Sequence, residues 1–338
     1  MNDQRTGVKK GRILALCMAW ALLFAAVLPG RVQAEEIKIT PVTWEVSEDH
    51  LMIEGDEARN LYNSIKAGNY PSLEELQNNP IVQELDALSE YYNSLYSDTS
   101  LINTPEREKL RKEVLQKFLA RGSARTAEVR ADGSKVYVYD GPLKYEYQAL
   151  LVLGLPASGK STRIADPSSE ALSAFNLDSD VMKEMLPEFQ ESRGAAASSV
   201  HKESQEMQNQ AVKAFTEGKM KGCNIIIQTT GNNLDSLKQR YLEPFENAGY
   251  NVRVVLVDAE VNESLSRAVM RGLRTGRIIP SSSIIGYGEG PRQVYQAIAK
   301  TPNKKGLPYG LFESLPVQDN ECVLVITGLR IAAAAVNP

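Results

Sequence analysis

The sequence predicts an α/β fold, in which a parallel sheet carries helices on both faces and is preceded by a small, mainly helical module. From Gln148 onward, short apolar runs alternate with helical patterns, which is typical of parallel strands joined by crossover helices. The first apolar run, Ala149 to Leu153, leads directly into a glycine-rich turn. The chain before Tyr145 shows helical patterns with polar interruptions and so predicts a separate module.

The first 34 residues are typical of an export signal. A basic start precedes an apolar run over residues 13–28, and Val32-Gln33-Ala34 offers small residues at the cleavage positions. The apolar run is short for a membrane span, which needs about 20 residues. We therefore expect cleavage after Ala34 and a periplasmic or secreted protein without a membrane anchor; an uncleaved anchor is the alternative.

Residues 35–145 are predicted to form the helical module, closed by a hairpin. Thr104 is a suitable cap, with Pro105 in the first turn of the helix that follows. Alternating Val and Tyr residues at 136–139 predict a half-buried hairpin strand. We interpret the module as a support or partner surface. Its expected elements are helices at Glu57–Ala67, Leu73–Asn78, Ile81–Tyr96 and Pro105–Leu119, and strands at Thr126–Arg130 and Lys135–Tyr139.

Residues 146–338 are predicted to form the sheet domain. Its apolar runs suit strands that are covered on both faces. The expected strands are Ala149–Leu153, Phe175–Leu177, Asn224–Gln228, Val252–Val257 and Cys322–Thr327. The expected helices are Ser161–Ile164, Asp180–Leu186, Ser198–Glu217, Leu234–Asn247, Asn262–Leu273 and Pro291–Lys300.

The turn after the first strand matches the phosphate-binding pattern G-x-x-x-x-G-K-[ST], in the strand-to-helix context that this pattern requires. The two glycines allow backbone N–H groups to surround a phosphate, and the following helix adds partial positive charge. The lysine can reach the β- and γ-phosphates, and Ser161 can offer its hydroxyl to Mg²⁺. The sequence therefore predicts an ATP and Mg²⁺ site of P-loop NTPase type, held by Gly154, Ser158, Gly159, Lys160, Ser161 and Thr162.

Ligands of open α/β sheets bind beyond the carboxyl ends of the strands, so the residues that follow each strand are candidates for chemistry. After the second strand, Asp180 and Lys183 are three residues apart on one helical face. Asp180 could accept the proton of an attacking hydroxyl, and Lys183 could hold acceptor charge. The alternative is that Asp178 or Asp180 only caps the helix.

Two further segments complete the predicted site. Gln228, Thr230 and Asn232 form a hydrogen-bonding cluster that suits a polyhydroxyl or amide-bearing acceptor, unless they only build a turn and a cap. Arg271 and Arg277 lie in an arginine- and glycine-rich segment that we interpret as a mobile lid. Their guanidinium groups could neutralise the charge that develops on the transferred phosphoryl oxygens. A solvated basic helix face is the alternative, in particular for Arg267.

Composition limits the other function classes. The chain of 338 residues has a net charge of −4, which argues against general electrostatic binding of nucleic acid. Three cysteines without metal-type spacing and only two histidines make a zinc site unexpected. Cys17 falls within the export signal, and Cys223 and Cys322 are expected to be buried thiols, although one disulfide is the alternative.

Taken together, the segments Gly154–Thr162, Asn176–Pro187, Asn224–Asp235, Gly249–Val257 and Arg267–Pro280 resemble the zeta toxin family of phosphate-loop kinases. The resemblance covers about residues 148–300. It implies phosphorylation of a sugar hydroxyl of UDP-N-acetylglucosamine, with Lys160 and Ser161 holding ATP and Mg²⁺ and Asp180 acting as base. It also implies that Thr230 and its neighbours hold the acceptor and that Arg271 and Arg277 clamp the phosphates. A neutralising or delivery protein is a candidate partner.

This chain departs from the family pattern at two positions. Gln228 stands where the family usually has Glu, and Lys183 stands where Arg is common. Because the acceptor class is less determined than the reaction, two alternatives stay open. One is a polynucleotide or other small-metabolite hydroxyl kinase. The other is a non-catalytic ATP-binding module that engages a protein partner.

Overall fold

The structure is a computed structural model that describes residues 51–96, 103–130, 135–311, 323–326 and 329–332. The predicted export signal and its cleavage site lie outside these residues. All described residues belong to one compact unit. Among the helices of these residues, none has the length and apolar character needed to span a bilayer.

Among the described residues before residue 124, four helices lie close to the predicted positions. In α2, Ser72 accepts a hydrogen bond from the N–H of Glu75, whose carboxylate accepts one from the N–H of Ser72, so both ends of a capping box are present. In α4, Thr104 accepts from Arg107, and Pro105 occupies the first turn. The bounds are α1 (Asp56–Lys66), α2 (Leu73–Asn78), α3 (Pro80–Tyr96) and α4 (Pro105–Ala120).

The next two strands form the predicted hairpin and extend the main sheet. β1 (Ala124–Val129) and β2 (Lys135–Gly141) pair antiparallel, with Thr126 opposite Val138. Ala124 of β1 also pairs antiparallel with Phe175 of the neighbouring strand. The hairpin therefore adds two antiparallel strands to one edge of the sheet.

The centre of the molecule is a six-stranded sheet with the order β2-β1-β4-β5-β3-β6. Strands β3 to β6 pair in parallel and consist almost entirely of buried apolar residues, because helices cover both faces. The predicted α/β fold with a parallel sheet is thus confirmed. The strand bounds are β3 (Gln148–Leu153), β4 (Phe175–Leu177), β5 (Ile225–Gln228) and β6 (Asn251–Leu256).

Helices alternate with these strands as predicted, apart from short additional pieces. π-Helical turns at Ser161–Ala165 and Lys238–Leu242 precede two of the helices. Sequence patterns did not predict α7 and α12, both of which are short. The bounds are α5 (Asp166–Leu172), α6 (Ser179–Lys183), α7 (Pro187–Glu191), α8 (His201–Thr216), α9 (Leu234–Leu237), α10 (Glu243–Asn247), α11 (Val261–Thr275), α12 (Ser281–Tyr287) and α13 (Gly290–Ile298).

The strand predicted at Cys322–Thr327 does not join the parallel sheet. β7 (Val323–Ile326) pairs antiparallel with β8 (Leu329–Ala332) in a two-stranded sheet of its own. An apolar run predicts a strand but not its partner, and a second run two residues later offers the nearest one. Cys322 itself lies outside the described residues, whereas Cys223 is a buried free thiol.

The N-terminal helices share a core with the helix that carries the predicted arginine cluster. Side chains of α1, α2 and α3, including Ile65 and Leu85, pack with Leu265, Val269 and Leu273 of α11. The domain division near residue 145 stays a prediction. In the folded chain, elements from both sides of that point share one sheet and one core.

Candidate active site

The glycine-rich turn lies at the carboxyl end of β3, between β5 and β6, where the strand order reverses. Open α/β sheets bind ligands at this point. Gly154 has a φ of +150°, and a Cβ there would lie 2.6 Å from the carbonyl oxygen of Val257 and 2.8 Å from Ser158 Oγ. Gly159 has a φ of +92°. Only glycine fits both positions without strain, so these residues determine the shape of the loop.

Lys160 is held over this loop. Its Nζ donates to the carbonyl oxygens of Gly154 at 2.9 Å and Leu155 at 2.7 Å. Burial lowers the pKa of Lys160 to about 8, although the charges of Asp180 and Asp178 offset part of the effect. The ammonium group therefore has carbonyl dipoles but no carboxylate in contact with it among the described residues.

Ser161 contacts Gln228 rather than an open part of the cleft. Its hydroxyl donates to Gln228 Oε1 at 2.8 Å, and Gln228 Nε2 donates to Asn176 Oδ1 at 3.1 Å and to Asp178 Oδ2 at 3.3 Å. Gln228 is only 6% exposed. This network places Gln228 beside the expected metal-binding hydroxyl, with its side-chain amide engaged within the protein.

Asp178 and Asp180 have different environments. Asp178 caps α6, since its Oδ1 accepts from the N–H of Asp180 at 2.9 Å. Burial and the charge of Asp180 raise the pKa of Asp178. Burial also opposes the ionisation of Asp180, but the charges of Arg277 and Lys183 outweigh it and hold the pKa of Asp180 well below its ordinary value. Asp178 is thus the cap, and Asp180 is the carboxylate with cationic partners.

Arg277 and Arg271 place positive charge near Asp180. The guanidinium of Arg277 forms an ion pair with Asp180 and lies 3.3 Å from Glu184 Oε1. Burial, together with the charge of Arg277, lowers the pKa of Arg271 to about 10. The Nε atoms of both arginines are buried without a hydrogen-bond partner. Two half-buried guanidinium groups therefore retain donors for an anion.

Arg267 contacts residues outside the cluster around Asp180. It forms an ion pair with Glu263 at 2.5 Å, and its guanidinium lies 5.4 Å from the ring centre of Tyr70. The sequence predicted a mobile lid for this segment. In the structure, Arg267 and Arg271 belong to α11, and Arg277 follows on a short connection to α12.

Lys183 lies against Asp180 and a histidine that the sequence did not single out. Its Nζ is 3.1 Å from Asp180 Oδ1 and 3.3 Å from His201 Nδ1, and the residue is 6% exposed. Burial and the charge of Lys183 lower the pKa of His201 to about 4, so the imidazole is neutral at physiological pH. His201 begins α8, 18 residues after Lys183, and no motif links the two positions.

Three other predicted site residues lie on segments next to the phosphate loop or to α13. The carbonyl oxygen of Thr230 accepts from the N–H of Gly154 at 3.3 Å, which ties the end of β5 to the phosphate loop. Asn232 is exposed and lies beside Gly290 of α13. Thr162 is exposed on the π-helical turn, where its hydroxyl contacts the carbonyl oxygen of Gly159 at 3.4 Å.

These residues fit a Mg²⁺-bound triphosphate. Lys160, Arg271 and Arg277 supply half-buried positive charge, and Ser158 Oγ is buried in the loop without a hydrogen-bond partner. Within the described residues, no group of three or more His, Cys, Asp and Glu side chains could hold a metal alone. Mg²⁺ commonly binds through one or two protein groups together with phosphate oxygens, and Ser161 and Asp178 lie where such groups are needed.

Comparisons with known proteins agree with this geometry. The family model described as zeta toxin matches residues 145–305, the range that contains every site residue described above. A comparison with proteins of curated function found no match.

The fold is also similar to crystal structures of AvrRxo1-ORF1:-ORF2. The one with ATP has 19% identity and a TM-score of 0.40, and the match covers 60% of this chain and 64% of that one. The one with sulphate ions has 18% identity and a TM-score of 0.38, with 59% and 62% covered. The chain therefore spans less than two thirds of the structures that it matches. Residues 145–305, just under half of the chain, are thus similar to the zeta toxin family, whose members are P-loop kinase-type ATP phosphotransferases.

Proposed function

We propose that this protein transfers the γ-phosphoryl group of ATP to a hydroxyl of a small acceptor, with a nucleotide sugar such as UDP-N-acetylglucosamine as the first candidate. The observation that carries the proposal is the convergence of Lys160, Asp180, Arg271 and Arg277 at one edge of the sheet. In this cluster, the buried Nε atoms of Arg271 and Arg277 are donors without a partner. A triphosphate would supply the missing negative charge.

The nucleotide-binding part of the proposed mechanism rests on the phosphate loop. Lys160 would exchange its carbonyl partners for β- and γ-phosphate oxygens. Ser161 and Asp178 would hold Mg²⁺, which supplies neutralisation of phosphate charge when bound. For this, Ser161 must release Gln228, whose amide keeps its contacts with Asn176 and Asp178.

Asp180 would receive the proton of the acceptor. As the acceptor oxygen forms its bond to the γ-phosphorus, the bond from that phosphorus to the β–γ bridging oxygen breaks and ADP leaves. The hydroxyl proton passes to the carboxylate of Asp180. Arg277 must first turn from Asp180 towards the phosphoryl oxygens, where it and Arg271 neutralise the developing charge.

The class of acceptor is supported by the residues at the edge of the cleft. Thr230 and Asn232 provide hydrogen-bonding groups for a sugar or an amide, and Lys183 adds a cation near Asp180. A polynucleotide kinase is less favoured because the net charge is −4. A binding module without transfer is less favoured because Asp180 and both arginines are present.

The acceptor is identified by incubating the protein with Mg-ATP and three classes of compound: nucleotide sugars, nucleosides and short oligonucleotides. Mass spectrometry then measures which compound gains a phosphoryl group. We expect the gain on a nucleotide sugar. Uniform phosphorylation of the oligonucleotides would instead favour the polynucleotide kinase.

We also propose that the mature chain begins at Glu35 and is exported. Little ATP is available outside the cytoplasm, so an exported kinase would act after delivery into another cell or would use a different phosphoryl donor. A neutralising or delivery protein would be consistent with either route and remains a prediction. Fractionation of cells, with mass spectrometry of the N-terminus, tests both the cleavage site and the location.

A further inference from the structure

The connection between α11 and α12 carries Arg277, and residues from the N-terminal part of the chain contact both of its ends. At the downstream end, Asp86 of α3 accepts a hydrogen bond from the N–H of Ser281 at 2.8 Å and another from its hydroxyl. Asp86 thus serves as the cap of α12, although the two residues are 195 positions apart in the sequence.

The upstream end is held by Met52. The N–H of Met52 donates to the carbonyl oxygen of Leu273 at 2.7 Å, in the last turn of α11. Its Sδ also lies 3.3 Å from where a Cβ of Gly276 would be. Gly276 has a φ of +75°, so the helix ends there in a left-handed conformation.

Apolar side chains pack between the two ends of this connection. Leu85, the neighbour of Asp86, shares a buried cluster with Leu273, Ile278 and Ile284, which lie on both sides of Arg277. The only long side chain that this short connection directs towards Asp180 is that of Arg277, among the residues described. A shift of the connection would therefore move the guanidinium relative to the phosphate loop.

We propose that Asp86 is a positioning residue for Arg277, and that the N-terminal helices are in this way part of the phosphate-binding machinery. The inference rests on the proposed function only in taking Arg277 as a phosphate ligand. Misplacement of a binding group by about 1 Å can cost 100-fold in rate, so an attachment outside the site can affect function strongly.

The test is a double-mutant cycle on the full chain, with the affinity for inorganic tripolyphosphate measured by calorimetry. We expect Arg277→Ala to weaken binding by about 10-fold or more, as for a lost charged hydrogen bond. Asp86→Ala should weaken it by about fivefold, as for a lost cap. The double variant should bind no more weakly than Arg277→Ala alone, because Asp86 acts only through Arg277.

Two variants separate positioning from stability. Glu90→Ala removes an exposed carboxylate one turn further along α3 and should leave binding unchanged. Asp86→Asn keeps an oxygen that can accept from Ser281 and should retain most of the affinity. If Asp86→Ala does not fold, Ser281→Ala replaces it in the cycle, since it removes one of the two hydrogen bonds to Asp86.

Additive losses in the double variant would overturn the inference, as would a wild-type protein that does not bind tripolyphosphate. The proposed transfer reaction can fail independently. A wild-type protein that binds tripolyphosphate with the expected coupling, but phosphorylates no acceptor, would refute the kinase proposal and leave the role of Asp86 intact.

Discussion

Asp180 has two cationic partners in the structure, and this pairing determines what the carboxylate can do. Arg277 and Lys183 keep it ionised, so it can accept a proton at neutral pH, but they also make it a weak base. Phosphoryl transfer has a loose transition state in which little negative charge is needed on the attacking oxygen. A weak but correctly placed base is therefore compatible with this chemistry. Movement of Arg277 from Asp180 to the phosphate would make Asp180 a stronger base.

The lowered pKa of Lys160 predicts how the affinity for nucleotide depends on pH. Its pKa in the free protein is about 8, because burial outweighs the charges of Asp180 and Asp178, and a bound triphosphate would raise that pKa. Above pH 8, binding must therefore take up a proton, and affinity should fall by up to about 10-fold per pH unit. Calorimetry with ATP at pH 7.5 and pH 9, in two buffers of different ionisation enthalpy, measures both effects. A flat affinity across this range, or the same dependence in Lys160→Met, would contradict the assignment.

Gln228→Glu tests the network around Ser161. The new carboxylate would be buried and would lie against the half-buried Asp178, whose pKa is already raised. We expect a loss of about 2 kcal/mol in the free energy of unfolding at pH 7. The pKa of the new group is raised in the folded state, so this loss should shrink as the pH falls towards 5. Urea unfolding at the two pH values measures it, and equal losses at both would show that charge repulsion is not the cause.

Helix α4 is connected to helices α7 and α8 by ion pairs between side chains that are largely shielded from solvent. The Arg107 guanidinium contacts Glu188 of α7 at 2.7 Å and Glu203 of α8 at 2.5 Å, and the side chain of Glu203 is 4% exposed. Arg111 contacts the same Glu203 at 3.3 Å. Glu203 lies in the first turn of α8, two residues after His201, so this cluster connects the N-terminal part with the surroundings of Lys183.

Arg107→Ala should lower the free energy of unfolding by about 2 kcal/mol, because it removes charged hydrogen bonds to Glu188 and to the buried Glu203 and leaves Glu203 with Arg111. Lys112→Ala on the same helix is the matched control. Lys112 forms an exposed pair with Glu108, so its loss should cost no more than about 0.5 kcal/mol. Urea unfolding of the two variants tests the contrast. Similar small losses would mean that the buried cluster adds nothing to stability.

Local patterns predicted the sheet strands and the phosphate loop well, because both have short-range signatures. The apolar runs gave β3, β5 and β6, and Thr104 with Pro105 marked the start of α4. Partners distant in the sequence were not predictable. Neither the Asp86 cap of Ser281 nor the contact of His201 with Lys183 has a sequence signature.

The predicted helical module and the sheet domain are continuous in the structure, because they share one sheet and several buried apolar clusters. The β1–β2 hairpin completes one edge of the sheet, and α1 to α3 cover α11. Without these elements, β4 would become an edge strand, and the apolar face of α11 would be exposed to solvent. The N-terminal residues are therefore structural parts of the kinase fold.

A chain of residues 146–338 should accordingly fail to fold cooperatively, whereas residues 41–338 should do so. The shorter chain loses the helices that bury Leu265, Val269 and Leu273. Thermal unfolding followed by circular dichroism compares the two chains under the same conditions. A cooperative transition of the shorter chain at a similar temperature would mean that the N-terminal elements are dispensable for folding.

The most direct test of the central claim is the transfer of labelled γ-phosphate from Mg-ATP by the mature chain and by Asp180→Asn, with ATP affinity measured for both. We expect the wild-type chain to label a nucleotide sugar. Asp180→Asn should bind ATP but lose about 10²- to 10⁴-fold in transfer rate, the usual contribution of a general base. ATP binding without a labelled product for any acceptor, or transfer by Asp180→Asn at the wild-type rate, would contradict the proposal.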